Sequence, residues 1–225
     1  MHSPTDYEKI TLNAYRSRQR ASEYKENQTN ALSWARFSTW REQRILFREL
    51  SRYRWSDGDR LLDIPCGTGI LGRLLQRLPF NIVASDISPE MMDLAREEYP
   101  HDRFIGSAQA DITKTGFHNG MFACVVTLGF LHRVPLEIKW ATLSEIAALS
   151  NRVVIITCSV DTAFQRFKHK VLSRVKPNHA PAPCPAPLKQ IISYCNDNGL
   201  KLVRTVMVTP FLSAHALMIF EKRLK

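Results

Sequence analysis

Between Arg60 and Ser159, short runs of apolar residues alternate with segments in which apolar positions repeat at helical spacing. Strands that are separated by helices usually pair in parallel and are covered on both sides. The pattern therefore predicts an α/β domain with a mainly parallel sheet and helices on both faces. The clearest helical stripe consists of Leu136, Trp140, Leu143 and Ala147.

Five apolar runs in this region have the length of a strand. Helices are predicted over Ile70–Leu78, from Pro89 and from Pro135. The second of these helices has a typical start, because Ser88 can cap it and proline suits the first helical position. The predicted strands are Arg60–Ile64, Asn81–Asp86, Arg103–Ala108, Met121–Leu128 and Asn151–Ser159.

The pattern changes after the fifth predicted strand. Ala163–Val175 predicts a basic amphipathic helix, and a proline-rich loop follows it. Leu188–Asn198 predicts a helix that Gly199 closes. The last two predicted strands, Lys201–Thr209 and Ala214–Phe220, are closely joined and should therefore be antiparallel. The expected fold is a seven-stranded, mostly parallel sheet with an antiparallel C-terminal strand.

Two parts of the chain are set apart from this sheet. Residues 1–55 are predicted to form a helical N-terminal arm or lid, because apolar and basic positions there repeat at helical spacing. Residues 56–225 form the α/β domain, and a segment near 161–189 is expected to cap it. The sequence shows no internal repeat and predicts no second domain.

The composition suits one α/β domain, with 225 residues of which 44% are hydrophobic. No apolar stretch approaches the roughly 18 residues of a membrane span, and the start lacks the features of a signal peptide. These features predict a cytoplasmic protein. The five cysteines are odd in number and lack C-x-x-C spacing, which predicts free thiols and no metal site.

The chain carries a formal net charge of +10, which favours anionic partners such as RNA, an anionic membrane surface or an acidic small molecule. Much of this excess lies in the predicted cap. There Arg166, Lys170 and Arg174 recur every four residues and so share one helix face, whereas Phe164 and Phe167 belong to the apolar face. The basic face is either a site for an anionic acceptor or a solvated surface.

A glycine-rich turn, Asp63–Gly69, joins the first predicted strand to a helix. Glycine lets the backbone approach a ligand closely, and ligands of open α/β sheets lie beyond the carboxyl ends of the strands. Asp86 ends the next strand, where a carboxylate can accept both hydrogens of a ribose diol. Residues Gly67–Gly72 also fit the G-x-G-x-x-G pattern of nicotinamide enzymes. The turn alone is therefore compatible with several cofactors, and also with a purely structural role.

Further motifs favour one family. Asp63–Gly69 resembles motif I of class I S-adenosylmethionine-dependent methyltransferases, D-x-G-C-G-T-G, with Pro65 in place of the first glycine. Asp111–Phe122 resembles the D-A…F-x-D-G-S-F-D segment of that family, and Thr127–Val134 resembles its S-x-x-L-H-H-V segment. The resemblance extends from Arg60 to Val134. It implies a Rossmann-like fold and a place in the small-molecule branch of the family.

The resemblance also implies a binding site for S-adenosyl-L-methionine. In this site, Asp63 would contact the ammonium group, Asp86 the ribose hydroxyls and Asp111 the adenine amino group. Ile87 and Met91 would pack on the adenine, whereas Met92 is expected to be a core residue. The full set of implied cofactor residues is Asp63, Pro65, Cys66, Gly67, Thr68, Gly69, Asp86, Ile87, Met91, Asp111, Ile112, Thr127 and Leu128.

Methyl transfer is an in-line displacement, and a general base is needed only if the acceptor must lose a proton. The resemblance makes His132 the candidate base, and a structural histidine is the alternative. The candidate acceptor residues are Tyr24 in the arm and the three basic residues of the cap.

The predicted activity is methyl transfer to a small or lipid-linked acceptor, and the clustered positive charge favours an anionic one. Two alternatives remain open. The net charge would also suit an RNA-modifying methyltransferase, although the sequence contains no recognisable RNA-binding module. The chain could also be a catalytically silent protein that binds the cofactor.

Overall fold

The computed structural model describes residues 34–99, 102–161, 164, 167, 170–171, 186–209 and 214–223. Most of the predicted arm and most of the predicted cap lie outside the described residues, and so do Tyr24, Arg166 and Arg174. The helices are α1 (Trp34–Leu50), α2 (Gly72–Leu75), α3 (Pro89–Arg96), α4 (Leu136–Leu149) and α5 (Leu188–Asp197). The strands are β1 (Arg60–Asp63), β2 (Asn81–Asp86), β3 (Phe104–Gln109), β4 (Phe122–Thr127), β5 (Ser150–Ser159), β6 (Leu200–Met207) and β7 (His215–Lys222).

The strands form a seven-stranded sheet in the order β3-β2-β1-β4-β5-β7-β6. Strands β1 to β5 pair in parallel, and β7 runs antiparallel to both β5 and β6. The predicted mostly parallel sheet with an antiparallel C-terminal strand is confirmed. Because β1 lies beside both β2 and β4, the carboxyl ends of these three strands meet at one edge of the sheet.

Two buried apolar clusters cover the two faces of the sheet. On one face, α4 and α5 contribute residues such as Leu143, Ile146 and Ile191. On the other face, α1, α2 and α3 contribute residues such as Leu46 and Leu75. The predicted placement of helices on both faces is therefore confirmed.

The helix after the glycine turn is shorter than predicted. The sequence predicts Ile70–Leu78, whereas α2 comprises only Gly72–Leu75. Beyond it the amides of Arg77 and Leu78 bond to carbonyl groups three residues earlier, so the chain continues as tight turns. By contrast, α3 begins as predicted, since the Ser88 hydroxyl accepts a hydrogen bond from the amide of Met91.

Only part of the predicted cap lies among the described residues. Phe164, Phe167, Lys170 and Val171 are helical, and all four are exposed. The apolar positions of the predicted amphipathic helix are therefore accessible to solvent at these residues. Within the described ranges, no helix has both the length and the apolar character that a membrane crossing requires.

Candidate cofactor and acceptor site

The glycine turn after β1 is tied to its surroundings by backbone bonds. The amide of Gly69 donates to the carbonyl of Cys66 at 3.0 Å, and both Gly67 and Gly69 have positive φ angles, 53° and 75°. A Cβ atom on Gly69 would lie 2.8 Å from the backbone of Ala95, whereas one on Gly67 would meet nothing within 4 Å. Gly69 therefore allows α3 to pack closely, and Gly67 borders open space where a ligand can approach the backbone.

Asp86 lies beside this turn, as the sequence predicts. Its Oδ2 atom accepts a hydrogen bond from the amide of Gly67 at 2.8 Å, and its Oδ1 atom accepts one from the amide of Ser88 at 3.0 Å. Burial raises the pKa of this carboxyl, and the backbone hydrogen bonds counteract that rise. The carboxylate thus holds the turn against the end of β2. Its predicted contact with ribose stays a prediction.

Asp63 is buried at the carboxyl end of β1, with an exposed fraction of 2%. Its Oδ2 atom accepts a hydrogen bond from the hydroxyl of Tyr99 at 2.5 Å. Burial and the nearby Asp86 carboxylate raise the pKa of Asp63 to about 7, although the Tyr99 hydroxyl favours the ionised form. Sequence reasoning missed Tyr99, which follows α3 and carries no local signal of this contact.

Pro65 and Cys66 line the same turn. Pro65 is half-buried, and the Ile64–Pro65 peptide bond is cis. The Cys66 thiol is buried and donates to the carbonyl of Gly67 at 3.6 Å. Burial and the nearby carboxylates raise the pKa of this thiol, so it stays protonated. A protonated thiol is a poor nucleophile. The predicted place of Cys66 among the cofactor residues stays a prediction.

The chemistry of this edge fits the methionyl and ribose parts of S-adenosylmethionine. The hydroxyl groups of Thr68 and Thr127 are buried, and no described residue bonds to either one. Buried hydroxyl groups normally have a hydrogen-bond partner. Both threonines lie at the carboxyl edge, beside the open side of Gly67 and the carboxylates of Asp63 and Asp86. A ligand with amino, carboxylate and hydroxyl groups would satisfy them.

Three further predicted cofactor residues follow β2 and β4. Met91 is buried on α3 but belongs to neither apolar cluster, whereas Met92 belongs to the core, as expected. Ile87 and Leu128 are half-buried. The predicted contact of Met91 with adenine stays a prediction.

Asp111 and Ile112 follow β3. The Oδ1 atom of Asp111 accepts hydrogen bonds from the amide and the hydroxyl of Thr113, each at 2.8 Å. Ile112 is buried in the apolar cluster beneath α4. Asp111 thus shapes the turn after β3 through one carboxylate oxygen, and its predicted contact with the adenine amino group would use the other.

His132 lies after β4, and its ring is 4.5 Å from the ring of His215 between centroids, with the two ring planes tilted by 31°. The guanidinium Nε of Arg133 donates to Nε2 of His132 at 3.3 Å. Burial, followed by His215, Arg133 and Lys139, lowers the pKa of His132 to about 3. Such a histidine is neutral at pH 7 and accepts protons poorly, which argues against the predicted role of general base.

Helix α1 brings one carboxylate to this end of the sheet. Glu42 is half-buried, and the hydroxyl of Thr157 on β5 donates to it. Burial raises the pKa of Glu42 to about 7, while Thr157 and Arg133 favour its ionised form. Sequence reasoning missed both Glu42 and His215, because nothing near them in the chain indicates that the charge of Arg133 influences both of them.

The described part of the chain thus brings two buried carboxylates, two unpaired hydroxyl groups and the open side of Gly67 together at the carboxyl ends of β1, β2 and β4. This edge is the candidate cofactor cleft. Residues 61–152 match the protein family that is described as a methyltransferase domain. The magnesium-protoporphyrin O-methyltransferase of Rhodobacter capsulatus is 26% identical over 226 residues, which cover 89% of this chain and 93% of that protein. 

Solved structures show the same fold. The magnesium protoporphyrin IX methyltransferase of Synechocystis PCC 6803 with bound SAH has a TM-score of 0.76 and 19% identity, over 96% of this chain and 99% of that one. The same enzyme with bound SAM has a TM-score of 0.75 and 17% identity, over 99% of this chain and 100% of that one. Together with the ordered motifs, these findings show that residues 61–152 contain a methyltransferase domain and that the chain has the fold of S-adenosylmethionine-dependent methyltransferases.

Proposed function

We propose that this methyltransferase transfers the methyl group to an oxygen atom of a small anionic acceptor, and that a carboxylate of magnesium protoporphyrin is the first candidate. The name of the Rhodobacter capsulatus relative supports this choice, because the similarity spans nearly the full length of both chains. The observation that carries the proposal is the group formed by Arg133, His132 and His215 beside the cofactor cleft.

At the cofactor end, we assign Asp63 to the ammonium group and Asp86 to the ribose hydroxyls. A cation beside Asp63 would favour its ionised form and would offset the effect of burial on its pKa. The backbone at Gly67 and the hydroxyl groups of Thr68 and Thr127 would contact the methionyl part. When bound, the cofactor supplies a methyl group on an activated sulfonium whose leaving group is neutral.

At the acceptor end, Arg133 supplies a positive charge. Arg133 is exposed and remains charged, whereas burial lowers the pKa of both His132 and His215. A guanidinium group can hold a carboxylate through two parallel hydrogen bonds. A carboxylate is already ionised at neutral pH, so its methylation requires no general base. The weak basicity of His132 is therefore compatible with this reaction, and the protein mainly holds the reactants in line.

The arm and the cap belong to the proposal on sequence grounds. The predicted N-terminal arm, residues 1–55, would cover the cofactor, and its residue Tyr24 would contact the acceptor. We assign the cap near 161–189 to recognition of the anionic or lipid-linked acceptor. Of its three basic candidates, Lys170 is exposed, whereas Arg166 and Arg174 lie outside the described residues.

The test combines a labelled cofactor with candidate acceptors. Purified protein, methyl-labelled S-adenosylmethionine and magnesium protoporphyrin IX should produce a labelled monomethyl ester, while the dimethyl ester of the same porphyrin should accept no label. Replacing Arg133 with alanine removes a charge-assisted contact of about 1.5–3 kcal/mol, so KM for the acceptor should rise at least tenfold. Cofactor affinity should stay unchanged.

Arg96→Ala is the matched control, because Arg96 pairs with Asp93 on the surface of α3. This variant should behave as the wild type. If no labelled ester forms with the porphyrin, magnesium protoporphyrin is the wrong acceptor. If Arg133→Ala and Arg96→Ala have the same kinetics, Arg133 does not bind the acceptor.

A further inference from the structure

Helix α1 directs a carboxylate toward the carboxyl edge of the sheet. Leu46 and Leu50 are fully buried in the apolar cluster on this face, and Glu42 lies one turn before Leu46 on the same stripe. Thr157 belongs to β5, near the end of the strand where His215 of β7 is paired with Ser159. The hydrogen bond between Thr157 and Glu42 therefore places the glutamate above the ends of β4 and β5.

The position of Glu42 is held from both sides. The Arg41 guanidinium donates to the carbonyl of Val208 at 3.1 Å, and the Gln43 amide donates to the carbonyl of Ile70 at 2.8 Å. Ile70 directly follows the glycine turn. These neighbouring contacts fix α1 between the cofactor turn and the end of β6, so Glu42 lies between the cofactor cleft and β7.

Glu42 differs from the second glutamate of the same helix face. Glu49 is almost fully buried and pairs with Arg48, Arg52 and Arg204, at 3.2, 3.1 and 3.2 Å. No ion pair joins Glu42 to an arginine or a lysine among the residues that the structure describes. The salt bridges neutralise Glu49 and so explain why it can be buried. No described residue forms such a salt bridge with Glu42, so ion pairing does not explain why a carboxylate lies there.

A short hydrogen-bonded chain connects Glu42 to the loop after β4. The amide of Gly129 donates to the Thr157 hydroxyl at 2.9 Å, and that hydroxyl donates to Glu42. Gly129 has a φ angle of 70°, and a Cβ atom on it would meet nothing within 4 Å. The loop that follows Thr127 and Leu128 thus borders open space. Glu42 is connected to this loop through the hydroxyl of Thr157.

We propose that Glu42 lines the acceptor site and holds an oxygen of the anionic acceptor through a proton that the two groups share. This inference rests on the proposed function, since it requires an anionic acceptor. Glu42 is a binding residue in this scheme and removes no proton from the acceptor. The shared proton comes from solvent when the acceptor binds, and it returns there when the methyl ester leaves.

The charged and titratable neighbours of Glu42 support this arrangement. Arg133 approaches from the loop after β4, and the neutral rings of His132 and His215 lie beside it on that loop and on β7. Arg41 belongs to α1 itself. Burial raises the pKa of Glu42 to about 7 in spite of Arg133. A second carboxylate brought into the same site raises it further, so a single proton is retained between the two groups at neutral pH.

Acceptor binding should therefore be linked to proton uptake. The experiment measures the affinity of the protein for magnesium protoporphyrin by fluorescence titration, without S-adenosylmethionine, from about pH 6 to about pH 9. Above the pKa of free Glu42, near 7, the dissociation constant of the wild type should rise by up to tenfold for each pH unit. Glu42→Gln keeps a hydrogen-bond donor without a charge, so its affinity should be tight and independent of pH over this range.

Glu97→Gln is the control, because Glu97 is exposed at the end of α3. It should retain the pH dependence of the wild type. Wild-type affinity that does not change with pH would overturn the inference and leave the proposed function intact. A Glu42→Gln variant that binds the porphyrin normally but forms no ester would make Glu42 a base and overturn it as well. No porphyrin binding at any pH would overturn the proposed function, and the inference with it.

Discussion

Replacing Asp63 with asparagine should make the free protein more stable at alkaline pH. The Asp63 side chain is 2% exposed, and burial raises its pKa from 3.8 to about 7. A carboxyl group whose pKa is higher in the folded state stabilises the fold when it is protonated, below about pH 4. This contribution is lost as the pH rises through 7. A tenfold change in an acid constant corresponds to about 1.4 kcal/mol, so the loss is on the order of 4 kcal/mol.

Asparagine has nearly the shape of aspartate and still offers an oxygen to the hydroxyl of Tyr99, but it carries no charge. Urea denaturation at about pH 4 and about pH 8 should show similar stabilities at the lower pH and a more stable variant at the higher pH. Asp93→Asn is the control, because its exposed pair with Arg96 contributes less than about 1 kcal/mol. If Asp63→Asn is less stable than the wild type at pH 8, the ionised carboxylate is stabilised by its surroundings and the reasoning fails.

Two further substitutions test the turn. A Cβ atom on Gly72 would lie 2.1 Å from the carbonyl oxygen of Glu98, so Gly72→Ala should lower the unfolding free energy by several kcal/mol in thermal or urea denaturation. Gly58→Ala is its control, since a Cβ atom there meets nothing within 4 Å. Asp86→Ala removes two hydrogen bonds to a charged group, each worth about 1.5–3 kcal/mol. It should lower both stability and cofactor affinity, the latter at least tenfold by calorimetry, and normal cofactor binding would refute the ribose assignment.

The strands were the most predictable elements of the fold. The predicted bounds of β2, Asn81–Asp86, agree with the structure, and those of β5 differ by one residue. These strands are buried on both faces, so their apolar residues form unbroken runs with clear ends. The helix after the turn was harder to predict, and its first residue, Gly72, packs directly against the backbone of Glu98. That contact is between segments that are distant in sequence.

The proposed cofactor residues could be named from the sequence because they lie in short motifs at strand ends. The proposed acceptor residues could not be named in this way, since they come from separate parts of the chain: Glu42 from α1, Arg133 from the loop after β4, Thr157 from β5 and His215 from β7. No local pattern marks them. The sequence left His132 either a candidate base or a structural histidine, and the burial that lowers its pKa to about 3 favours the second interpretation.

The amino-acid sequence by itself determined the alternation of strands and helices, the glycine turn and the class of enzyme, because each depends on residues that are close together in the chain. Only the tertiary structure decided which carboxylates are buried and which side chains contact them. Asp63 bonds to Tyr99, 36 residues away, and that contact exists only because α3 packs on the sheet. Burial sets the proton affinity of Asp63 and Glu42, and burial depends on every element that surrounds a side chain.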